Sequence, residues 1–127
     1  MTENEIGTKI ISAAFQVHKE IGPGLLEKSY QIILTKKLQE QGLKVQSEKA
    51  VPLVYDGKAI ETTAYYADIV VENKVLIEVK AVESIAPVHL KQTLTYLKML
   101  NFELGYILNF NVALMKQGIK RVIRSKT

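Results

Sequence analysis

Residues 67–80, ADIVVENKVLIEVK, set two apolar runs on either side of a polar turn, and no other stretch restricts the fold as tightly. The pattern reads as a β-hairpin. Side chains alternate along a strand, so Val75, Ile77 and Val79 face a core while Leu76, Glu78 and Lys80 share the other face. On the preceding strand Asp68 shares a face with Tyr66 and Val70. Asp68 lies opposite Glu78 only if the cross-strand pairing sums to an even number. That demands a loop of odd length, most simply Glu72, Asn73 and Lys74, with Asn73 suited to the left-handed conformation. The hairpin therefore permits two carboxylates to converge, with an ammonium on the same face.

The flanking sequence supplies helices. Ile6, Ile10, Ala13, Ala14 and Val17 trace a helical stripe over residues 3–20. IGPG, residues 21–24, interrupts it. A second helix is expected over 25–41, with Leu26, Tyr30, Ile33, Leu34 and Leu38 inward and Gly42 at its C-cap. Asp56-Gly57 marks a hairpin turn between two alternating runs. Pro87 suits the first turn of a third helix. On it Leu90, Leu94 and Leu97 form the expected buried stripe, and His89, Gln92, Thr93 and Tyr96 a separate polar face. LGYILNF and GIKRVIR read as closing strands. The expected order is α-α-β-β-β-β-α-β-β, a single domain over residues 1–127 of the α/β (α+β) class, with a central mixed β-sheet flanked by helices. The strands before and after the third helix are suited to parallel pairing by a right-handed crossover.

Composition narrows the chemistry. With no cysteine and two histidines (His18 and His89), a metal would be held by oxygen, which points to a hard cation such as Mg²⁺ or Mn²⁺. No apolar run approaches the roughly 18 residues of a membrane span. The opening MTENEIGTK lacks the charged-then-apolar pattern of a secretion signal, so a cytoplasmic location is the expectation. The net charge of +4 is uneven: Lys116, Lys120, Arg121, Arg124 and Lys126 stand after residue 110 without an acid, leaving −1 for the rest. A basic tail suits a polyanion, and equally suits a solubilising surface edge.

Two adjacent carboxylates repel, and a divalent cation relieves that repulsion. Asp-x₉-Glu-x-Lys is thus the outline of a metal-assisted phosphodiester hydrolysis site, or else three polar residues on a wet sheet face. Gln92 and Tyr96 lie one helical turn apart and could offer an amide and a phenol to a phosphate backbone.

Asp68, Glu78-Val79-Lys80 and Gln92-x₃-Tyr96, on strand, strand and helix, resemble the PD-(D/E)XK nuclease superfamily, whose fold is a restriction-endonuclease-like core. Gln-x₃-Tyr is similar to its RecB-like branch. GLLEKSY carries Gly24-x-x-Glu27-x-x-Tyr30, the signature of the GxxExxY protein family grouped with it. AAFQVHKEIGPGLLEKSY, LIEVKAVESIAPVHLKQTLTYLKML and LNFNVALMKQGIKRVI resemble that family's segments, so the resemblance covers nearly the whole chain. It implies that Asp68 and Glu78 ligate Mg²⁺ or Mn²⁺ with the Val79 carbonyl, that Lys80 is the catalytic lysine, and that Glu27 completes the site. It also implies that Gln92 and Tyr96 position the nucleic-acid strand. Tyr30 is either a ligand contact or a packing residue, and Lys120 and Arg121 are candidate backbone contacts from the basic tail. His18 and His89 also recur in the family's segments, more readily as structural hydrogen-bonding residues than as ligands.

Three functions are compatible with this reading. One is a metal-dependent nuclease acting on DNA, or on RNA. Another is a catalytically silent nuclease-fold module binding nucleic acid or a protein partner. The third is a phosphate-metabolism hydrolase using the same carboxylates. A homo-oligomer gripping a duplex fits the chain's size, although nothing in the sequence specifies one.

Overall fold

The computed structural model describes residues 1–125; Lys126 of the basic tail lies outside them. The first helix, α1 (Glu3–Ile21), starts at a capping box in which Thr2 Oγ1 accepts the Glu5 N–H (3.2 Å) and Glu5 Oε1 accepts the Thr2 N–H (2.9 Å). It stops at Gly22, whose φ of 76° a side chain would resist. After the IGPG break comes α2 (Glu27–Glu40). Leu26 is its extended N-cap rather than its first inward residue and is 77% exposed. It lies outside the helical stripe because the helix begins one residue later.

Strands β1 (Val45–Tyr55) and β2 (Lys58–Val71) form a long hairpin closed by Asp56 (φ 53°) and Gly57 (φ 74°). β3 (Val75–Lys80) follows, then α3 (Pro87–Leu100), β4 (Leu104–Asn109), a short 3₁₀ turn (Met115–Gly118) and β5 (Ile119–Ile123). The α+β class is as expected. Residues 58–71 carry no breaker, so one strand serves both hairpins and three strands precede α3. The sheet order is β1-β2-β3-β4-β5, antiparallel except for β3 and β4, which pair in parallel across α3 as expected.

Each face of the sheet buries a core. Helices α1 and α2 lay Ile6, Ile10, Val17, Tyr30, Leu34 and Leu38 over Ile69, Val71, Ile77, Val79 and Leu108. On the other face α3 lays Tyr96 and Leu97 over Val51, Val70, Leu76 and Ile107. α3 is turned relative to the leucine stripe: Thr93, Tyr96 and Leu97 are buried, and Leu94 is 40% exposed. Thr93 is buried cheaply because its hydroxyl donates to the His89 carbonyl (2.8 Å). Tyr96 meanwhile lies over the part of the sheet that carries carboxylates.

Candidate active site

The β2–β3 turn uses the three expected residues, with Val71 paired to Val75, Val70 to Leu76 and Ile69 to Ile77. Glu72 joins Asn73 in the left-handed region (φ 53° and 52°). Glu72 is tied there because its carboxylate accepts the Lys44 N–H (2.6 Å) and its own N–H donates to the Lys44 carbonyl (2.8 Å). The next pair in this register would be Asp68 with Glu78, and there the ladder stops. Glu78 Oε2 accepts the Asp68 N–H (3.1 Å), and Asp68 Oδ2 accepts the Val79 N–H (2.8 Å). Side chains replace backbone rungs, and the two strands part around a carboxylate pair.

The irregularity extends to β1. Ser47 pairs with Ile69 and Lys49 with Ala67, but Glu48, facing Asp68, has a φ of 54°. Ala67 and Val70 both pack beneath α3, whereas residues three apart on a regular strand face opposite ways. The alternation is reset at Asp68, so Tyr65 rather than Tyr66 faces α3, its ring 5.8 Å from that of Tyr96.

Two residues that the sequence did not single out brace this point. Gln31 is 4% exposed, and its amide group donates to the Asp68 carbonyl (2.9 Å), Glu48 Oε1 (3.1 Å) and Ser47 Oγ (3.1 Å). Glu48 also accepts from Lys28 (2.7 Å). Its carboxylate is held below the usual range, first by the Lys28 bond and then by Gln31. The one signal for Gln31 was its position a single turn after Glu27; Glu48 had none.

The carboxylate pair is strained electrostatically. Glu78 is 5% exposed, and burial, reinforced by the charge of Asp68, pushes it up to about 8. Asp68 is also raised, by burial above all, while the bond from Val79 opposes the shift. The Lys80 ammonium favours the charged form of both. Tyr96 is raised by burial and by the nearness of Glu78. Gln92 donates to the Tyr96 hydroxyl (3.2 Å).

A family model of the PD-(D/E)XK nuclease superfamily matches residues 4–122. The chain belongs to the PD-(D/E)XK nuclease superfamily. No curated protein and no solved structure gives a significant match. In this PD-(D/E)XK chain the carboxylates, Lys80, Tyr96 and Gln92 gather where β2 leaves β3. Glu27 reaches the same end of β3, where its Oε2 accepts the Ala81 N–H (3.2 Å). Among the described residues, however, no three histidines or acids converge tightly enough to form a metal cluster.

Other expected positions fall elsewhere. Tyr30 is fully buried, stacked on Phe110 at 4.7 Å, and its hydroxyl donates to the Gly22 carbonyl (2.5 Å). It is a packing residue that pins the IGPG loop. Arg121 points to the α1 face and donates to Asn4 (2.8 Å), because neighbours on β5 face opposite ways. Lys120 pairs with Ile107, which pairs with Glu78, so it shares the face of Glu78 two strands away, about 10 Å across the sheet. His18 and His89 are structural. The His18 ring meets the Val112 carbonyl (2.7 Å), and His89 Nδ1 accepts the Ala86 N–H (3.0 Å). No helix among the described residues is long and apolar enough to cross a membrane. A concavity of about 710 Å³ near the β2–β3 turn is lined by Lys44, Lys49, Glu72 and Asn73 among others, and by neither Asp68 nor Glu78.

Proposed function

We propose that the protein is a metal-dependent nuclease that hydrolyses phosphodiester bonds of DNA. The adjacent Asp68–Glu78 pair, Glu78 buried and Asp68 half-buried, carries this reading, since neighbouring acids that resist ionisation are a preformed host for a hard cation. The donor set fits Mg²⁺ or Mn²⁺: Asp68, Glu78, the Val79 carbonyl and Glu27 are all oxygen ligands. The Val79 carbonyl faces the right way. The Val79 N–H points to β2, whereas the Lys80 carbonyl accepts from Phe110 on the opposite side (3.0 Å). The N–H and C=O of a strand residue share an edge, so the Val79 carbonyl opens into the gap between β2 and β3.

A bound cation would supply Lewis-acid neutralisation of phosphate charge. The chain's own residues do the rest. Lys80 orients the attacking water and offsets charge that develops on the phosphate. Gln92 and Tyr96 hold a phosphate from the helix side, and Lys120 offsets backbone charge further along that face. We also place the chain in the GxxExxY branch. The signature makes physical sense here, because Tyr30 pins the loop that delivers Glu27 to the end of β3.

The test is cleavage of single- and double-stranded DNA and RNA with Mg²⁺ or Mn²⁺. Chelator-sensitive cleavage is expected, with Lys80→Ala slowing it by about 100-fold or more at an unchanged melting temperature. No cleavage of any substrate by the wild type overturns the reading. One observation favours the alternative of a silent nuclease-fold module: Asp68, Glu78 and Glu27 all spend an oxygen on a backbone N–H. Nucleic-acid binding together with no Mn²⁺ uptake in calorimetry identifies that alternative.

A further inference from the structure

The β1–β2 hairpin outruns the sheet. β2 pairs with β3 only at residues 69–71, and its first nine residues pair with β1 alone and are largely exposed. On the side of this arm that faces α3 stands Tyr65. The residue is 46% exposed, and its ring is inclined at 36° to that of Tyr96, a residue only 7% exposed. Tyr65 thus rests against the Tyr96 ring, centroids 5.8 Å apart, while nearly half of the residue stays exposed to solvent. The pair connects directly to the site, since Tyr96 lies close enough to Glu78 to feel its charge and its hydroxyl is held by Gln92.

Resting on the nuclease reading, we propose that Tyr65, backed by Tyr96, is a stacking subsite for an unpaired nucleobase beside the carboxylates. The substrate class is then single-stranded or frayed nucleic acid. Tyr65 stands three positions before Asp68, roughly 10 Å of strand, so the stacked base belongs to a nucleotide near the scissile phosphate. Every base has a π face, so an aromatic ring at this place binds a strand without reading its sequence. In a duplex those faces are covered by neighbouring bases, and exposing one costs a few kcal/mol of unstacking. The arm also carries its own control. Tyr66 is comparably exposed (53%) but, as the next residue on the strand, points to the opposite face from Tyr65 and Tyr96.

The experiment measures binding of a labelled oligothymidylate, an abasic strand of equal length and a duplex of equal length, with Ca²⁺ replacing Mg²⁺ to suppress cleavage. Wild type should hold the oligothymidylate about 10-fold or more tightly than either competitor. Tyr65→Leu, which keeps apolar cover over Tyr96, should erase that preference, whereas Tyr65→Phe and Tyr66→Ala should retain it. Equal binding of the abasic strand or duplex by the wild type overturns the proposal without recourse to any variant. So does a Tyr65→Leu protein that binds like wild type, or a Tyr65→Phe protein that loses the preference. If those results accompany intact metal-dependent cleavage, the nuclease reading stands and the stacking subsite falls. If the wild type neither binds nor cleaves any nucleic acid, both fall.

Discussion

The two ends of β2 behave as different materials. Residues 69–71 lie between β1 and β3, fully buried, with α1 and α2 on one face and α3 on the other. Nine residues earlier the same strand has one neighbour, and Ile60 is 61% exposed. Asp68 sits where one regime gives way to the other, and that placement explains the chemistry. A carboxylate inside the closed half would have no partner, and one on the arm would be fully hydrated. At the boundary it is dry enough to resist ionisation, yet only half-buried. The strand ends its pairing with β3 and places its acid in a single event, because the Asp68 carboxylate takes the Val79 N–H that would have formed the next rung, and the Glu78 carboxylate takes the Asp68 N–H.

The contrast can be broken by substitution. The largest effect on stability is expected at Ile77, which pairs with Ile69 in the closed half. Ile77→Ala should cost about 2–5 kcal/mol in urea denaturation, and a smaller loss would mean that the closed half tolerates a cavity.

An intermediate effect belongs to the boundary. Glu78 is raised from 4.5 to about 8, so the folded state binds its proton more tightly than the unfolded state does. Its charge therefore costs stability progressively as pH rises from about 4.5 to 8, and fully above that. Glu78→Gln should flatten the decline and stabilise the protein at alkaline pH by on the order of a few kcal/mol. Thermal melts across pH check this, and parallel wild-type and variant curves would show that the acid is not strained.

The smallest change is expected on the arm, where Ile60→Ser should stay within about 0.5 kcal/mol. A cost near that of Ile77→Ala would mean that the arm is a packed part of the core.

Much of this was legible in the sequence because it depends on local rules. The α1 stripe, the Asp56-Gly57 turn and the parallel strands around α3 follow from periodicity and turn chemistry. So does the pairing parity that sets Asp68 beside Glu78, since a three-residue loop leaves one register. Only packing decided the rest. Tyr30 lies inward as its helical stripe implies, but that it is a packing residue followed only from Phe110, distant in sequence, offering a ring to stack on. α3 turned Tyr96 toward the sheet and Leu94 away, which amphipathicity alone could not foresee, because the surface beneath is part carboxylate. Lys120 and Arg121 are neighbours in sequence, yet an edge strand sends them to opposite faces. Gln31 and Glu48 became a brace only when α2 and β1 met at Asp68. A chain's local pattern specifies its elements and their registers. Which polar groups share a site depends on long-range contacts, where each buried donor and acceptor must find a partner.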